Sequence, residues 1–265
     1  MKILAILFLM FSLSHAKIYY SKVEPYEIRD ISSNVSGLVL SIDENMIGKK
    51  LTSDAYITID SELDAKELAF IKDKLEYLRE IIKVNENVLV NLEKSLVRKR
   101  ENYKRITDLK FKSAVEKDKE YYDLISNENL YLSTQKEIQN LKVQITDLKL
   151  REAHLKRSVS DKYLSDKGFV LYEISVKVGQ VVGVSTPLAK VADTSKAKLT
   201  IYLDEEDVAD AKNKVVYING EKTSYKISRS LNIADSKNIS KYMAQIIIDS
   251  PKLFSKLATV ELKDK

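Results

Sequence analysis

Cysteine and tryptophan are absent from these 265 residues, and only six glycines, three prolines and two histidines occur. Each shortage removes a class of function. Without cysteine there is no disulfide framework, no thiol nucleophile and no thiolate zinc site. His15 lies in the N-terminal apolar segment and His154 stands alone in a charged helical stretch. A Ser-His-Asp relay would rest on that single imidazole, and a histidine-type metal site lacks a second ligand. The glycines punctuate β segments instead of forming a phosphate-cradling run. Beyond the N-terminal segment only Met46 and Met243 remain, too few for a relay of soft copper or silver ligands. Charge of one sign is lacking too: 44 basic residues face 39 acidic ones, and a net charge of +5 makes no case for nucleic acid. The sequence predicts a protein that is not an enzyme and holds no metal or cofactor.

Long apolar runs are confined to the N-terminus. Lys2 precedes the apolar stretch Ile3 to Leu13, and Ser14-His15-Ala16 places small residues at the positions a signal peptidase reads. The stretch is about eleven residues, short of the ~20 that span a bilayer. Residues 1–16 are therefore expected to be a signal peptide cleaved after Ala16, and the mature chain to be exported. A chain free of cysteine suits an oxidising compartment and offers no thiol for lipid anchoring.

What is present is a repeated glycine frame. Gly37-Leu38-Val39-Leu40 leads to Gly48, and Gly168-Phe169-Val170-Leu171 leads to Gly179, with the same spacing. Neither glycine nor proline occurs between Gly48 and Gly168. The frame predicts one small β module, residues 31–60 and 160–196, split by a long helical insert at 61–159. Residues 17–30 are expected to form an N-terminal edge strand. Strand patterns from Ala197 onward, with Asn219-Gly220 as a hairpin turn, predict a small β-barrel over 197–265.

The insert begins at Asp60 or Ser61, with Glu62 and Asp64 in its first turn, where the helix dipole favours them. Its apolar positions run from Leu68 through Ile71, Leu75 and Leu78 to Tyr103 and Ile106 in alternating steps of three and four, a coiled-coil seam. Asn85 and Lys99 are polar seam positions. The pattern breaks near Phe111 to Ala114, where Ser113-Ala114-Val115-Glu116 has capping-box spacing and starts a second helix running to about Val159. That helix has a clean seam from Ile138 to Val159 and an irregular first half, with Tyr121, Leu124 and Tyr131 as expected contacts. Two arms of this length, at ~1.5 Å per residue, make an antiparallel hairpin on the order of 70 Å long. Its tip is basic: residues 94–119 hold ten basic and four acidic side chains. Such a patch serves either as a solubilising face or to steer encounter with an acidic partner.

A split β module, an inserted helical hairpin and a following β-barrel resemble the periplasmic adaptor proteins, also called membrane fusion or HlyD-like proteins. The residues that carry the resemblance are Ile31-Ser32-Ser33-Asn34-Val35-Ser36-Gly37, Gly168-Phe169-Val170, Val178-Gly179-Gln180-Val181-Val182, Thr186-Pro187-Leu188 and the barrel entry Asp204-Glu205-Glu206-Asp207-Val208. The resemblance implies an α+β multidomain fold with a split biotinyl/lipoyl-like β sandwich. Because helices occupy the place of the lysine-bearing turn, it implies no lipoate or biotin. It also implies a homo-oligomeric ring, trimer or hexamer, that joins an inner-membrane transporter of RND or ABC type to a TolC-like outer-membrane channel. The family's tip pattern is an Arg, a Leu four residues on and a Ser seven further. Arg105 and Leu109 match it, while Glu116 stands at the serine position. The resemblance thus marks Arg105, Leu109, Lys112, Ser113 and Glu116 as the partner-binding tip. A competing expectation is a periplasmic coiled-coil scaffold or regulator of cell-envelope machinery.

Overall fold

In a computed structural model, residues 17–234, 238 and 240–264 are described; the expected signal peptide lies outside them. The chain order is β1 (Ile18–Ser32), β2 (Gly37–Ile42), β3 (Ile57–Ile59), α1 (Glu62–Asp108), α2 (Ala114–Asp161), β4 (Tyr163–Leu164), β5 (Val170–Ile174), β6 (Val181–Val182) and β7 (Pro187–Leu203). Then follow α3 (Glu205–Val208), β8 (Val215–Ile218), β9 (Glu221–Lys222), β10 (Ile227–Ala234), β11 (Tyr242–Asp249) and β12 (Leu257–Lys263). Among the described residues no helix is long and apolar enough to cross a membrane.

Two β cores form. One draws Val39, Tyr56, Ile57 and Ile59 from before the helices and Leu171, Val182, Leu188 and Val191 from after them, each 2% exposed or less. Backbone hydrogen bonds interlock the two segments: Val39 N–H donates to Gln180 at 2.9 Å, Gly48 N–H to Leu171 at 2.8 Å and Leu51 N–H to Phe169 at 2.7 Å. The glycine frame serves this interlock in two ways. Gly48, Gly168 and Gly179 have φ of 80°, 94° and 84°, the left-handed region that glycine enters without strain. Gly37 is different: a Cβ there would lie 2.6 Å from Cγ2 of Ile59, so its role is close packing.

The second core packs Leu199, Ile201 and Leu203 of β7 against Val216, Ala244, Ile246, Ala258 and Val260. The larger sheet runs β10-β11-β7-β1-β12-β8-β9, with β5 also on β7. Its path ends at β10 and β9, and among the described residues no ladder joins those ends. Asn219 and Gly220 take positive φ in the β8–β9 turn. After β9 the chain re-enters the sheet at Ile227, the first residue of β10.

The edge strand expected at 17–30 is the 15-residue β1, which joins two ladders: it pairs with β12 through Ile18–Lys22 and with β7 from Val23 to Ser32, each stretch on one side only among the described residues. β1 and β7 each run unbroken from one core into the other, past residues 30 and 196. The cores still segregate, because buried residues switch from Ala189 and Val191 in one to Ala197 and Leu199 in the next. Lys17 and Tyr19 reach Asp207 of α3 at 3.0 and 2.6 Å, which ties α3 to β1.

Helices α1 and α2 have 47 and 48 residues, each about 70 Å at the ~1.5 Å rise. Every expected seam residue of α1 is buried or half-buried, Asn85 and Lys99 included. The first half of α2 is not irregular. Lys117, Glu120, Leu124, Asn127, Tyr131 and Thr134 keep the three-four step and are all at least half-buried. The period was hidden because polar residues carry it. Asn127 Nδ2 donates to Ser95 Oγ at 2.7 Å, and Lys99 lies 3.7 Å from Asp123. Tyr121 sits beside the seam, 44% exposed, with its ring 5.7 Å from Tyr103.

The base of the hairpin is fixed by charge. The Lys162 side chain, 9% exposed, lies 2.9 Å from Asp64, which also accepts from Ser158 at 2.7 Å. These two donors, Ser158 first, hold the Asp64 carboxyl below its ordinary range. Asp60 supplies the starting acceptor for Glu62 N–H at 3.0 Å, and the Ser61 hydroxyl instead meets Tyr163 at 3.0 Å. Ile59 N–H donates to Lys162 at 2.8 Å, so the helix pair grows directly out of β3 and β4.

Candidate functional site

The turn between the arms spans residues 109–113 and is closed by local chemistry. α1 stops at Leu109, whose backbone turns extended (φ −82°, ψ 117°) while its N–H donates to Ile106 at 3.2 Å. α2 opens with a full capping box: Ser113 Oγ accepts from Glu116 N–H at 3.3 Å, and Glu116 Oε2 accepts from Ser113 N–H at 3.0 Å. Lys112 Nζ adds an ion pair to Glu116 Oε1 at 2.8 Å. Together Lys112 and the two Ser113 donors hold the Glu116 carboxyl down to about 2. Lys117 reaches back across the turn and donates to the Thr107 carbonyl at 2.9 Å, capping the end of α1.

The five residues marked by the sequence thus have separable jobs. Ser113, Glu116 and Lys112 bond to one another and give the turn its form. Arg105 is exposed and donates to Asn102 one helical turn back. Leu109 is 36% exposed at the helix stop. All five occupy one end of the hairpin, but only Arg105 and Leu109 lie outside the capping network. Glu116 cannot be read as a spoiled serine contact, since both its carboxylate oxygens are engaged within the turn.

Sequence reasoning missed Phe111 and Val115. They are 79% and 77% exposed, the most exposed large apolar side chains of the tip. A phenylalanine in a lysine-rich turn, outside any seam position, was the available signal. Further down the arms Tyr103, Tyr121 and Tyr122 form an aromatic cluster, with ring centroids 5.7 Å apart for Tyr103 and Tyr121 and 5.8 Å for Tyr121 and Tyr122. Among the described residues no group of three or more His, Asp or Glu side chains is placed to hold a metal.

No family model and no curated protein matches the sequence. Solved structures do. MacA from Actinobacillus actinomycetemcomitans matches 93% of this chain over 78% of its own length, at 17% identity and a TM-score of 0.60. The fold is that of the membrane fusion proteins. A MacA–MexA chimera carrying the Pseudomonas aeruginosa MexA α-hairpin domain matches 94% of this chain over 81% of its own, at 15% identity and a TM-score of 0.54. The membrane fusion protein Spr0693 from Streptococcus pneumoniae R6 is covered over its whole length by 94% of this chain, at 11% identity and a TM-score of 0.55. In the membrane fusion fold as this chain builds it, a split β core and a hairpin growing from β3 and β4 stand at one end of the helices, and the tip at the other.

Proposed function

We propose that the mature chain is a non-catalytic periplasmic adaptor of an efflux or export complex, joining an inner-membrane transporter of RND or ABC type to a TolC-like outer-membrane channel. The observation that carries this reading is mechanical. A hairpin of about 70 Å is rooted in a β core closed by segments from both its ends, so the tip is held rigidly far from the β body. The split core is the lipoyl-like unit of the reading, and the second core its barrel. Arg105 and Leu109 are the tip residues free to meet the channel, while Lys112, Ser113 and Glu116 hold the turn that presents them.

The ring is supported by a second apolar stripe. On α1, Phe70, Tyr77 and Val84 recur every seven residues, with Ile81 and Val88 four residues after Tyr77 and Val84, 42–71% exposed, beside the intramolecular seam and not on it. The Asp64–Ser158 and Ser95–Asn127 pairs set the stripe at the height of α2 residues from about 134 to 152. There Val143 and Leu150 are exposed at 60% and 61%. In a ring all copies point the same way, so the α1 stripe of one copy meets α2 of the next at equal height, a heterologous contact that closes on itself.

The chain's lack of cysteine makes the test clean. Tyr77→Cys combined with Val143→Cys, two positions that stand within about 3 Å of the same height, should give, on oxidation, a ladder of covalent oligomers ending at the ring size. Arg105→Asp with Leu109→Ser should abolish transport while leaving helix content unchanged. Full transport in that double variant, together with photo-crosslinks from Lys112 to cell-wall enzymes alone, would transfer support to the envelope-scaffold reading.

A further inference from the structure

The tip carries apolar surface that its own folding does not use. Capping box, ion pair and the Lys117–Thr107 bond close the turn without Phe111 or Val115, which stand four residues apart at the entry to α2. Leu109, 36% exposed, completes the apolar end. The surrounding charge divides into two sets. Lys112 and Lys117 are committed to Glu116 and to the Thr107 carbonyl. Lys104, Lys110 and Lys119 have no carboxylate within 4 Å among the described residues, and Lys104, Lys110 and Lys119 are all exposed. An exposed aromatic on a turn held by internal bonds, edged by uncommitted cations, has the form of an interface anchor with a steering rim.

We propose that Phe111 and Val115 form an apolar knob that enters an apolar socket on a partner protein, with Lys104, Lys110 and Lys119 meeting carboxylates at the socket's edge. The inference rests on the reading of the hairpin as a docking arm, and it changes which residues anchor the dock. Arg105 and Leu109 then flank the anchor. An anionic bilayer is the poorer occupant. A membrane-lying helix needs a continuous apolar face between basic flanks, whereas α2 sets Glu116, Asp118 and Glu120 directly behind Val115. The knob is preorganised, because the turn is fixed by its own hydrogen bonds before any partner arrives.

The test uses the whole mature chain in its native cells, with Phe111→p-benzoylphenylalanine and, separately, the same photoreactive residue at Arg105. Irradiation should join position 111 to an outer-membrane channel at apolar residues bordered by Asp or Glu. With that channel purified, Phe111→Ser should weaken binding by about 10- to 100-fold, as for loss of one buried aromatic. Lys110→Glu with Lys119→Glu should slow association and flatten its salt dependence. Circular dichroism should report unchanged helix content in each. Adducts from position 105 but not 111, or full affinity in Phe111→Ser, overturn the knob while leaving the adaptor function standing. Absence of a channel adduct from both positions, with transport intact in Arg105→Asp/Leu109→Ser, removes the adaptor function itself. Cosedimentation with phosphatidylcholine/phosphatidylglycerol vesicles that is lost in Phe111→Ser overturns the protein socket in favour of a lipid surface.

Discussion

Adding one methyl group at Gly37 tests whether the split β core is close-packed between β2 and the end of β3. The backbone of Gly37 is ordinary, so the residue is not needed for its torsion angles. The constraint is space: a Cβ would stand 2.6 Å from Cγ2 of Ile59 and 3.4 Å from the Asp60 carbonyl. Ile59 is completely buried and its N–H bonds to Lys162, so it has no solvent to retreat into. Overpacking of this kind costs about 1–3 kcal/mol. Ile59→Ala alone should cost about 2–5 kcal/mol through the cavity it leaves. Combined, the new methyl enters the vacated space, and the double variant should be more stable than additivity requires by about 1–2 kcal/mol. Because the hairpin and the second core can open separately, the readout is amide hydrogen exchange at Val39, Ile59 and Asp60. Gly37→Ala should speed exchange there by roughly 5- to 150-fold, at 1.4 kcal/mol per tenfold. Unchanged exchange, or strict additivity in the double variant, would refute close packing between Gly37 and Ile59.

Leu75→Ser, at a seam position 3% exposed, should lower hairpin stability by at least the ~2–5 kcal/mol of a Leu→Ala cavity, while Phe70→Ser, 71% exposed, should leave an isolated chain nearly unchanged by thermal melting. The Glu116 carboxyl is depressed in the folded turn, so its stabilising contribution is present above the ordinary carboxylate value near 4.3 and is lost as pH falls toward about 2. Protection of the amides at the start of α2, measured relative to the intrinsic exchange rate at each pH, should therefore fall on acidification through that window, and Glu116→Gln should remove the effect. Asp64 follows the same sign at the base. Asp64→Ala, which leaves the Lys162 ammonium buried without its partner, should destabilise the chain more than Asp64→Ala/Lys162→Met does, by chemical denaturation.

The helices were legible because their determinants are local. Leu68 to Ile106 repeat at a coiled-coil period within one segment, and Ser113 with Glu116 forms its capping box across four consecutive residues. Sequence pattern alone therefore gives two arms, their turn and their seam, except where Lys117, Glu120, Asn127 and Thr134 carry the period with polar side chains. The β cores were legible in part. The repeated glycines mark the interlocking segments, but the two frames are not equivalent: Gly168 is needed for a left-handed turn and Gly37 for contact with Ile59, a partner 22 positions away. That β1 passes from β12 to β7 partway along its length depends on strands more than 150 residues distant, and no local pattern in Ile18–Ser32 encodes those neighbours. At the tip, residue types announced charge, and a resemblance drew attention to Arg105, Leu109 and Glu116. Only the folded turn separates the side chains bonded within it, Lys112, Ser113 and Glu116, from those it leaves in solvent, Phe111 and Val115. Periodicity is a property of a segment and can be read from it, whereas exposure is a property of what the rest of the chain covers.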